Sequence, residues 1–362
     1  MPDSPKPLPL PVHGRGAVSA GRSGRFDDRG REEDGDWLDA REEVDGEGPV
    51  LRTGVTMETP RTIISRNRSP DIPFDRSINP YRGCEHGCIY CFARPTHAYH
   101  NLSPGLDFET KLFAKPGAPE LLRRELARPG YQCEPMAIGT NTDPYQPVEG
   151  RLRIMRGLLE VLAEHDHPVA ITTKSARILR DIDLLGPMAE KGLAAVMMSV
   201  TTLDPVIARR MEPRASAPAR RIAAIRALAD AGIPVSISVS PVVPAITDHE
   251  IEAIVEAGAR AGASGAFSIV VRLPHEVSPL FREWLAVHYP DRAARVMSLI
   301  AGMRDGKDNE GAFFDRFRPK GAYAEALLAR FRLACRKHGL GGMRFALRTD
   351  LFHAPGQQLV LF

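Results

Sequence analysis

Cys84, Cys88 and Cys91 stand together in the run Asn79–Arg94, and Cys133 and Cys335 are the only other cysteines in the 362 residues. Thiolates are soft ligands, suited to iron–sulfur clusters or zinc. Three of them without a fourth cysteine nearby leave one coordination position open, and an open position on iron is a place for chemistry. Cys88 and Cys91 share one face if Gly87 leads into a helical turn. Cys84 reaches the same metal from the preceding loop, where Gly83 and Gly87 permit tight turns. The alternative is a zinc ion held by the three cysteines with His86 or His97 as fourth ligand. This cysteine usage does not resemble a disulfide framework, and a reducing cytoplasm is the natural home for such a site.

Other reactive groups lie at the ends of short apolar runs. The runs are Met136–Gly139, Val169–Thr172, Ala195–Val200, Val235–Val239 and Ala266–Leu273. Between them lie amphipathic stretches of helix length at Pro119–Leu126, Val148–His165, Asp181–Lys191, Ala217–Ala231 and Asp248–Ala261. Near-continuous apolar strands imply burial on both faces and therefore a parallel sheet, with the helices as right-handed crossovers. With one more strand just before Cys84 the count is about six, short of a closed eight-strand barrel. The predicted fold is α/β, an open partial (β/α)6 TIM-like barrel with a wide mouth.

Polar residues close these runs: Thr140–Asp143, Thr172–Lys174, Thr201–Thr202, Ser238–Ser240 and Arg272. They fall at the C-terminal ends of strands, where α/β sites are built. Asp143, before Pro144, either caps a turn or hydrogen-bonds a ligand, and Gln146 is a weaker candidate. His275 and Glu276 would rim the mouth and transfer protons, unless an Arg272–Glu276 pair simply holds the loop. Arg209, Arg210, Arg214, Arg220 and Arg221 form a basic stretch, either a solvated face or a seat for phosphates. Aromatic residues are sparse there, so stacking on single strands has little support.

The composition, 43% hydrophobic and 26% charged, is that of a soluble globular protein. A net charge of +3 neither argues for nucleic-acid binding nor forbids it. No apolar run reaches the roughly 18 residues of a membrane span, and the first thirty residues lack the apolar core of a secretory signal. Residues 1–51 read as a disordered acidic/basic tail, with a short docking element around Trp37. Residues 52–77 form an extended lead-in broken by Pro60, Pro70 and Pro73, and 78–289 form the barrel. Residues 290–362 form a mainly helical extension, with helices at Ala293–Met303 and Tyr323–His338, the second ended by Gly339. Gln358–Phe362 would be a tail strand or a docking peptide.

The spacing CxxxCxxC with Tyr90 just before the last cysteine resembles the hallmark of the radical S-adenosylmethionine superfamily. The resemblance implies a [4Fe-4S] cluster held by Cys84, Cys88 and Cys91, with S-adenosylmethionine on the fourth iron through its amino and carboxylate groups. An electron from the cluster then cleaves the sulfonium C–S bond, giving methionine and a 5'-deoxyadenosyl radical that abstracts hydrogen. It also implies an external electron donor such as flavodoxin or ferredoxin, and the family's partial barrel matches the strand count. Tyr90 resembles the residue that borders the adenine.

Residues 79–245 resemble the spore photoproduct lyase-like branch more closely. Thr140-Asn-Thr-Asp143 falls in register with that branch's Thr-Ser-Asp, Thr173-Lys174 with its Thr-Lys pair, and Ser199-Val-Thr-Thr202 with its Ser-x-Asn-Ser. Glu212-Pro213 matches a Glu-Pro, and Ser240-Pro241 stands where the branch has Ala-Pro. The resemblance makes Lys174 a partner of the cofactor's carboxylate or hydroxyls and Ser199 a contact to its ribose or amino group. Thr140, Asp143, Thr201 and Ser240 join them as cofactor-binding candidates, and Tyr90, Asp143, His275 and Glu276 are the catalytic candidates.

Two residues depart from the lyase. Thr140 replaces its hydrogen-donating cysteine, and Phe92 replaces the second tyrosine bracketing the last cluster cysteine. A threonine O–H is too strong to stand in for a thiol, so the lyase's own hydrogen-return path is not expected here. From Ile78 to Leu351 the chain looks like a widespread bacterial family in this branch that shares the blocks 139–147 and 272–277. The expected enzyme takes hydrogen from a nucleic acid or another large substrate. The alternative is a non-catalytic zinc or iron–sulfur protein serving nucleic-acid interaction or electron transfer.

Overall fold

The computed structural model describes residues 11–25, 51–342 and 346–354. Its strands are β1 (Gly54–Met57), β2 (Ile64–Arg66), β3 (Arg76–Ile78), β4 (Tyr81–Arg82), β5 (Lys111–Ala114) and β6 (Met136–Ile138). They continue with β7 (Val169–Thr173), β8 (Ala194–Ser199), β9 (Val235–Val242), β10 (Gly265–Val270) and β11 (Gly341–Gly342). The larger sheet runs β11-β10-β9-β8-β7-β6-β3-β2. From β3 through β10 its neighbours are parallel, with Ser77 opposite Ala137, Ile138 opposite Ile171, Thr173 opposite Met198, and Ile237 opposite both Met198 and Ala266. Antiparallel β2 and parallel β11 are opposite edges of this order, so the barrel is open.

Burial on both faces explains the apolar runs. Ile138, Ile171, Val196, Met198, Ile237 and Val239 are all at most 1% exposed. The crossover helices Ile154–Glu164, Ile182–Glu190, Pro218–Asp230 and Ile251–Arg260 cover the outer face through residues such as Leu158, Leu185, Ile225 and Ile254. The helix expected over Val148–His165 breaks at Arg153, where φ is 53°. The reason is Glu149, a buried carboxylate that accepts from the Met155 amide at 3.2 Å and pairs with Arg180 at 2.7 Å. The break lets it cap the second helix from within the core.

Two segments depart from the sequence reading. The lead-in 52–77 supplies β1, β2 and the first barrel strand β3. Its prolines fall between the strands, where a ladder N–H is not required. Within the tail read as structureless, residues 11–25 pack against the body, with Ala17, Val18 and Ser23 all buried. Glycine and small residues let this segment lie close against other backbone, a source of burial that composition does not register. The docking element around Trp37 and the tail Gln358–Phe362 fall outside the described residues.

The chain after β10 is mainly helical. Helices Val277–His288 and Pro290–Gly302 form a second core around Phe281, Trp284 and Ile300, shared with Ala17, Cys88 and Ile89. Helix Ala322–Lys337 instead buries Ala324, Leu327 and Ala334 against the main core. No helix among the described residues is long and apolar enough to cross a membrane.

Candidate cluster and cofactor site

The cysteine loop leaves the barrel after β3 and returns through β5, closed at its base where Tyr81 and Arg82 of β4 pair with Ala114 and Phe113. Gly83 has φ 75°, and a Cβ there would meet the Phe108 carbonyl and the Leu112 side chain at 2.8 Å. That close approach lets the Cys84 amide donate to the same Phe108 carbonyl at 2.9 Å. From the turn after β6, the Thr142 hydroxyl donates to the Gly83 carbonyl at 2.6 Å, and Gln146 Oε1 accepts from the Glu85 amide at 2.8 Å. Fully buried Arg94 donates to the carbonyls of Cys88 at 2.9 Å and Gly87 at 3.2 Å and pairs with Glu109 at 2.5 Å.

The N-terminal segment crosses this loop as a strap. Glu109 accepts from the amides of Gly16 and Ala17 at 3.0 and 2.9 Å. A Cβ on Gly16 would lie 1.7 Å from the Gly87 carbonyl oxygen, so only glycine permits the contact. Further on, Ser23 donates to Glu276 at 2.5 Å and Arg25 pairs with it at 2.8 Å.

Cys84 and Cys88 are buried and Cys91 is partly exposed. Burial pushes all three thiols above the ordinary cysteine value; next come the charge of Asp143 for Cys84 and that of Glu212 for Cys88. Positive charge from bound iron is what such a site requires to hold thiolates. Each histidine considered as a fourth ligand has a ring nitrogen beside another group, and each buries an Nδ1 without a hydrogen-bond partner among the described residues. His86 Nδ1 stands 3.3 Å from Asp143, and His97 Nε2 stands 2.9 Å from the Lys111 carbonyl. Burial also lowers the His97 pKa to about 4. Among the described residues no three His, Cys, Asp or Glu side chains converge on a single ion. The thiols fit a multi-iron cluster, in which each can take a different metal atom.

Beside the cysteines lies a buried polar assembly centred on Glu212, whose side chain has no exposure. It pairs with Arg221, accepts from the Tyr90 hydroxyl and from Thr201 Oγ1 at 2.6 Å, and lies 3.4 Å from Lys174 Nζ. Lys174 Nζ also donates to the Ser240 carbonyl at 3.4 Å and stands 5.7 Å from the Tyr90 ring centre. Burial pulls the Lys174 pKa down, against the charges of Cys88 and Asp143. Arg221 donates to the Ser199 carbonyl at 3.1 Å. The barrel thus brings together Tyr90 of the cysteine loop with Lys174, Ser199, Thr201 and Ser240 from the ends of β7, β8 and β9.

Asp143 ties the turn after β6 to the end of β7. It accepts from the Thr173 hydroxyl at 2.7 Å, the Lys174 amide at 2.8 Å and the Tyr145 amide at 2.9 Å. Burial alone would raise its pKa; His86 and these donors outweigh it and hold the carboxyl below its usual range. Thr140 sits nearby, its hydroxyl 3.3 Å from Asn79 Oδ1.

The structure does not bring His275 and Glu276 together as a proton-transfer pair. His275 is exposed with φ 48°, while Glu276 is buried under the strap and locked by Arg25 and Ser23. The arginine that holds Glu276 is therefore Arg25, far off in sequence, and not Arg272. The basic stretch divides as well. Arg209, Arg210 and Arg220 are exposed, whereas Arg221 is buried on Glu212 and Arg214 pairs with Glu85 at 3.1 Å. Sequence reasoning assigned no role to Glu212, Arg94 or Glu109, and read Arg221 only as part of a solvated face or a seat for phosphates. A glutamate flanked by arginines looks like a solvated charge run, and its match to a Glu-Pro pair was the only signal.

Three neighbouring thiols thus stand beside a buried lysine–glutamate–tyrosine assembly at the open end of a partial barrel. Residues 78–258 match the model of the radical SAM superfamily, and the chain belongs to that superfamily, whose enzymes use a [4Fe-4S] cluster and S-adenosylmethionine. An uncharacterised protein of Mycobacterium tuberculosis, Rv2578c, is 35% identical over 286 residues, covering 78% of this chain and 82% of that protein. An uncharacterised protein of Methanocaldococcus jannaschii, MJ0683, is 25% identical over 173 residues, covering 48% of this chain and 62% of its own. Spore photoproduct lyase complexed with dinucleoside spore photoproduct superposes with a TM-score of 0.56 at 14% identity, over 78% of this chain and 79% of the lyase. At that identity the likeness is one of fold.

Proposed function

We propose that this radical SAM enzyme abstracts hydrogen from a bulky substrate, a nucleic acid among the large molecules that fit an open mouth. Cys84, Cys88 and Cys91 would hold the cluster. With cluster and S-adenosylmethionine bound, one-electron cleavage supplies methionine and the 5'-deoxyadenosyl radical. Lys174 would meet the cofactor's carboxylate or hydroxyls, with Tyr90, Ser199, Thr201 and Ser240 lining its nucleoside. Asp143 would act by positioning, because its oxygens already accept from Thr173, Tyr145 and Lys174. The barrel over 78–289 would carry the cofactor, and of the extension over 290–362 only the segment 304–317, beside Arg272, would face the substrate. An acidic electron carrier such as flavodoxin or ferredoxin in the cytoplasm would supply the electron.

The observation that carries this reading is the Glu212 assembly against Cys88. Glu212 compensates Lys174 and Arg221 in the free protein, so the lysine is kept buried and aligned for an anionic ligand. A hydrogen-return path like that implied for the lyase has no support: Thr140 bears no thiol, and Phe92, 55% exposed, bears no hydroxyl. Anaerobic reconstitution with iron and sulfide, followed by reduction with dithionite, tests the proposal. Conversion of S-adenosylmethionine to 5'-deoxyadenosine is expected. A colourless protein that binds zinc and leaves S-adenosylmethionine intact would sink it.

A further inference from the structure

Just past β10, on the open end of the barrel, three arginines gather around one carboxylate among the described residues. Arg272 Cζ lies 4.6 Å from the centre of the Phe317 ring, and Arg316 Cζ lies 5.0 Å from the same ring. Arg304, only 5% exposed, donates to the carbonyl of Val271, the residue before Arg272, at 2.7 Å. The carboxylate facing this group is Asp71, already taken by Arg316 at 2.6 and 2.8 Å and by the Phe314 amide at 2.9 Å.

Arg272 Nη1 and Arg304 Nη1 are buried without a hydrogen-bond partner among the described residues. Desolvation and the two neighbouring arginines pull the Arg272 pKa down to about 10. Guanidinium groups do not deprotonate readily, so a buried donor of this kind is retained at a cost unless an anion meets it. Next to the arginines, Phe313 is 53% and Phe314 49% exposed, and the Phe313 ring lies 5.1 Å from Arg316. Arginines beside open aromatic faces are the pairing that holds a phosphate together with a stacked base.

We infer that Arg272, Arg304 and Arg316 bind a phosphate of the substrate while Phe313 and Phe314 stack the adjoining base, so that a nucleotide unit is presented at the mouth. This rests on the reading of the mouth as the place where substrate meets cofactor. It adds a substrate class and a site to that reading, and neither uses the exposed arginines Arg209, Arg210 and Arg220.

The test is fluorescence anisotropy of a labelled single-stranded deoxyoligonucleotide on the reconstituted holoenzyme, with thymidine monophosphate, thymidine, inorganic phosphate and a phosphoserine peptide as competitors. Saturable binding is expected, displaced by thymidine monophosphate and far less by thymidine. Arg272→Ala should weaken it roughly tenfold and lower the slope of log affinity against log salt by about one. Phe313→Ala, at an exposed position that the fold tolerates, should weaken it at least about fivefold. Arg330→Ala, which breaks a pair with Glu252 on the outer helix, should change neither quantity. The inference is overturned if the wild type binds no oligonucleotide, if Arg330→Ala weakens binding as much as Arg272→Ala, or if the phosphopeptide competes and thymidine monophosphate does not. Formation of 5'-deoxyadenosine by the same wild-type sample is scored separately, so a failed nucleotide site and a failed radical generator give different results.

Discussion

The cysteine loop and the rim after β10 face the same opening but are built in opposite ways. Around the loop the groups nearest the cysteines have donors: the Gly83 carbonyl from Thr142, that of Cys88 from Arg94, Glu109 from Arg94 and the strap, and Glu212 from four side chains. His86 Nδ1 and His97 Nδ1 stay without a hydrogen-bond partner among the described residues. At the rim, Arg272 and Arg304 keep buried donors unpaired among the described residues, His275 stands exposed and two phenylalanines face solvent. A site that must hold one fixed cofactor is best made rigid before the ligand arrives. A site that must admit and release a large substrate keeps part of its hydrogen-bonding capacity for it. The contrast fits the proposed division into a preorganised cofactor half and a substrate half completed by its ligand.

If the cofactor half is as tightly determined as this, the largest effect should come from a ligand itself. Cys88→Ala is expected to abolish iron binding and visible colour while the thermal unfolding of the iron-free protein stays close to wild type; loss of the fold would mean a structural metal instead. Glu212→Ala should come next. It leaves Lys174 and Arg221 buried without their counter-charge and should cost about 3–5 kcal/mol in urea unfolding. A smaller, specific effect is expected from Lys174→Ala, which should weaken S-adenosylmethionine binding by tenfold or more with iron content unchanged; equal losses of both would return Lys174 to a structural role.

The strap offers a finer probe. Gly16→Val cannot keep the contact with Gly87, so the bound cluster should bleach several-fold faster in air with little change in unfolding temperature. Unchanged bleaching would make the strap a passive covering. The smallest effect expected is one of pH. Burial raises the Glu276 pKa, but the bonds from Arg25 and Ser23 outweigh it and the net shift is downward. A carboxylate depressed by folding stabilises above its unfolded value and loses that contribution as pH falls through the folded one. The strap should accordingly become sensitive to proteolysis only below about pH 4, and Glu276→Gln should remove that dependence.

The fold was readable where one physical rule dominated. Doubly buried parallel strands must be apolar throughout, so β6 to β10 stood out as runs and their polar ends marked the mouth. The cysteine spacing marked the ligands for the same reason: metal coordination admits few residue types. Other features carried no such mark. The packing of residues 11–25 depends on glycine contacts with backbone far along the chain, and the same glycines in isolation look like a flexible tail. Glu276 could be placed on the rim from its position, but its partner Arg25 lies 251 residues away.

Sequence alone determined the parallel barrel, which follows from periodic burial, and its cysteine spacing carried the resemblance that pointed to the superfamily. Tertiary structure decided which charges meet. Glu212 became the buried centre of a polar assembly beside Cys88, and Arg272 was left without an acid among the described residues, because pairing energies depend on burial and on neighbours that only the folded chain brings within reach.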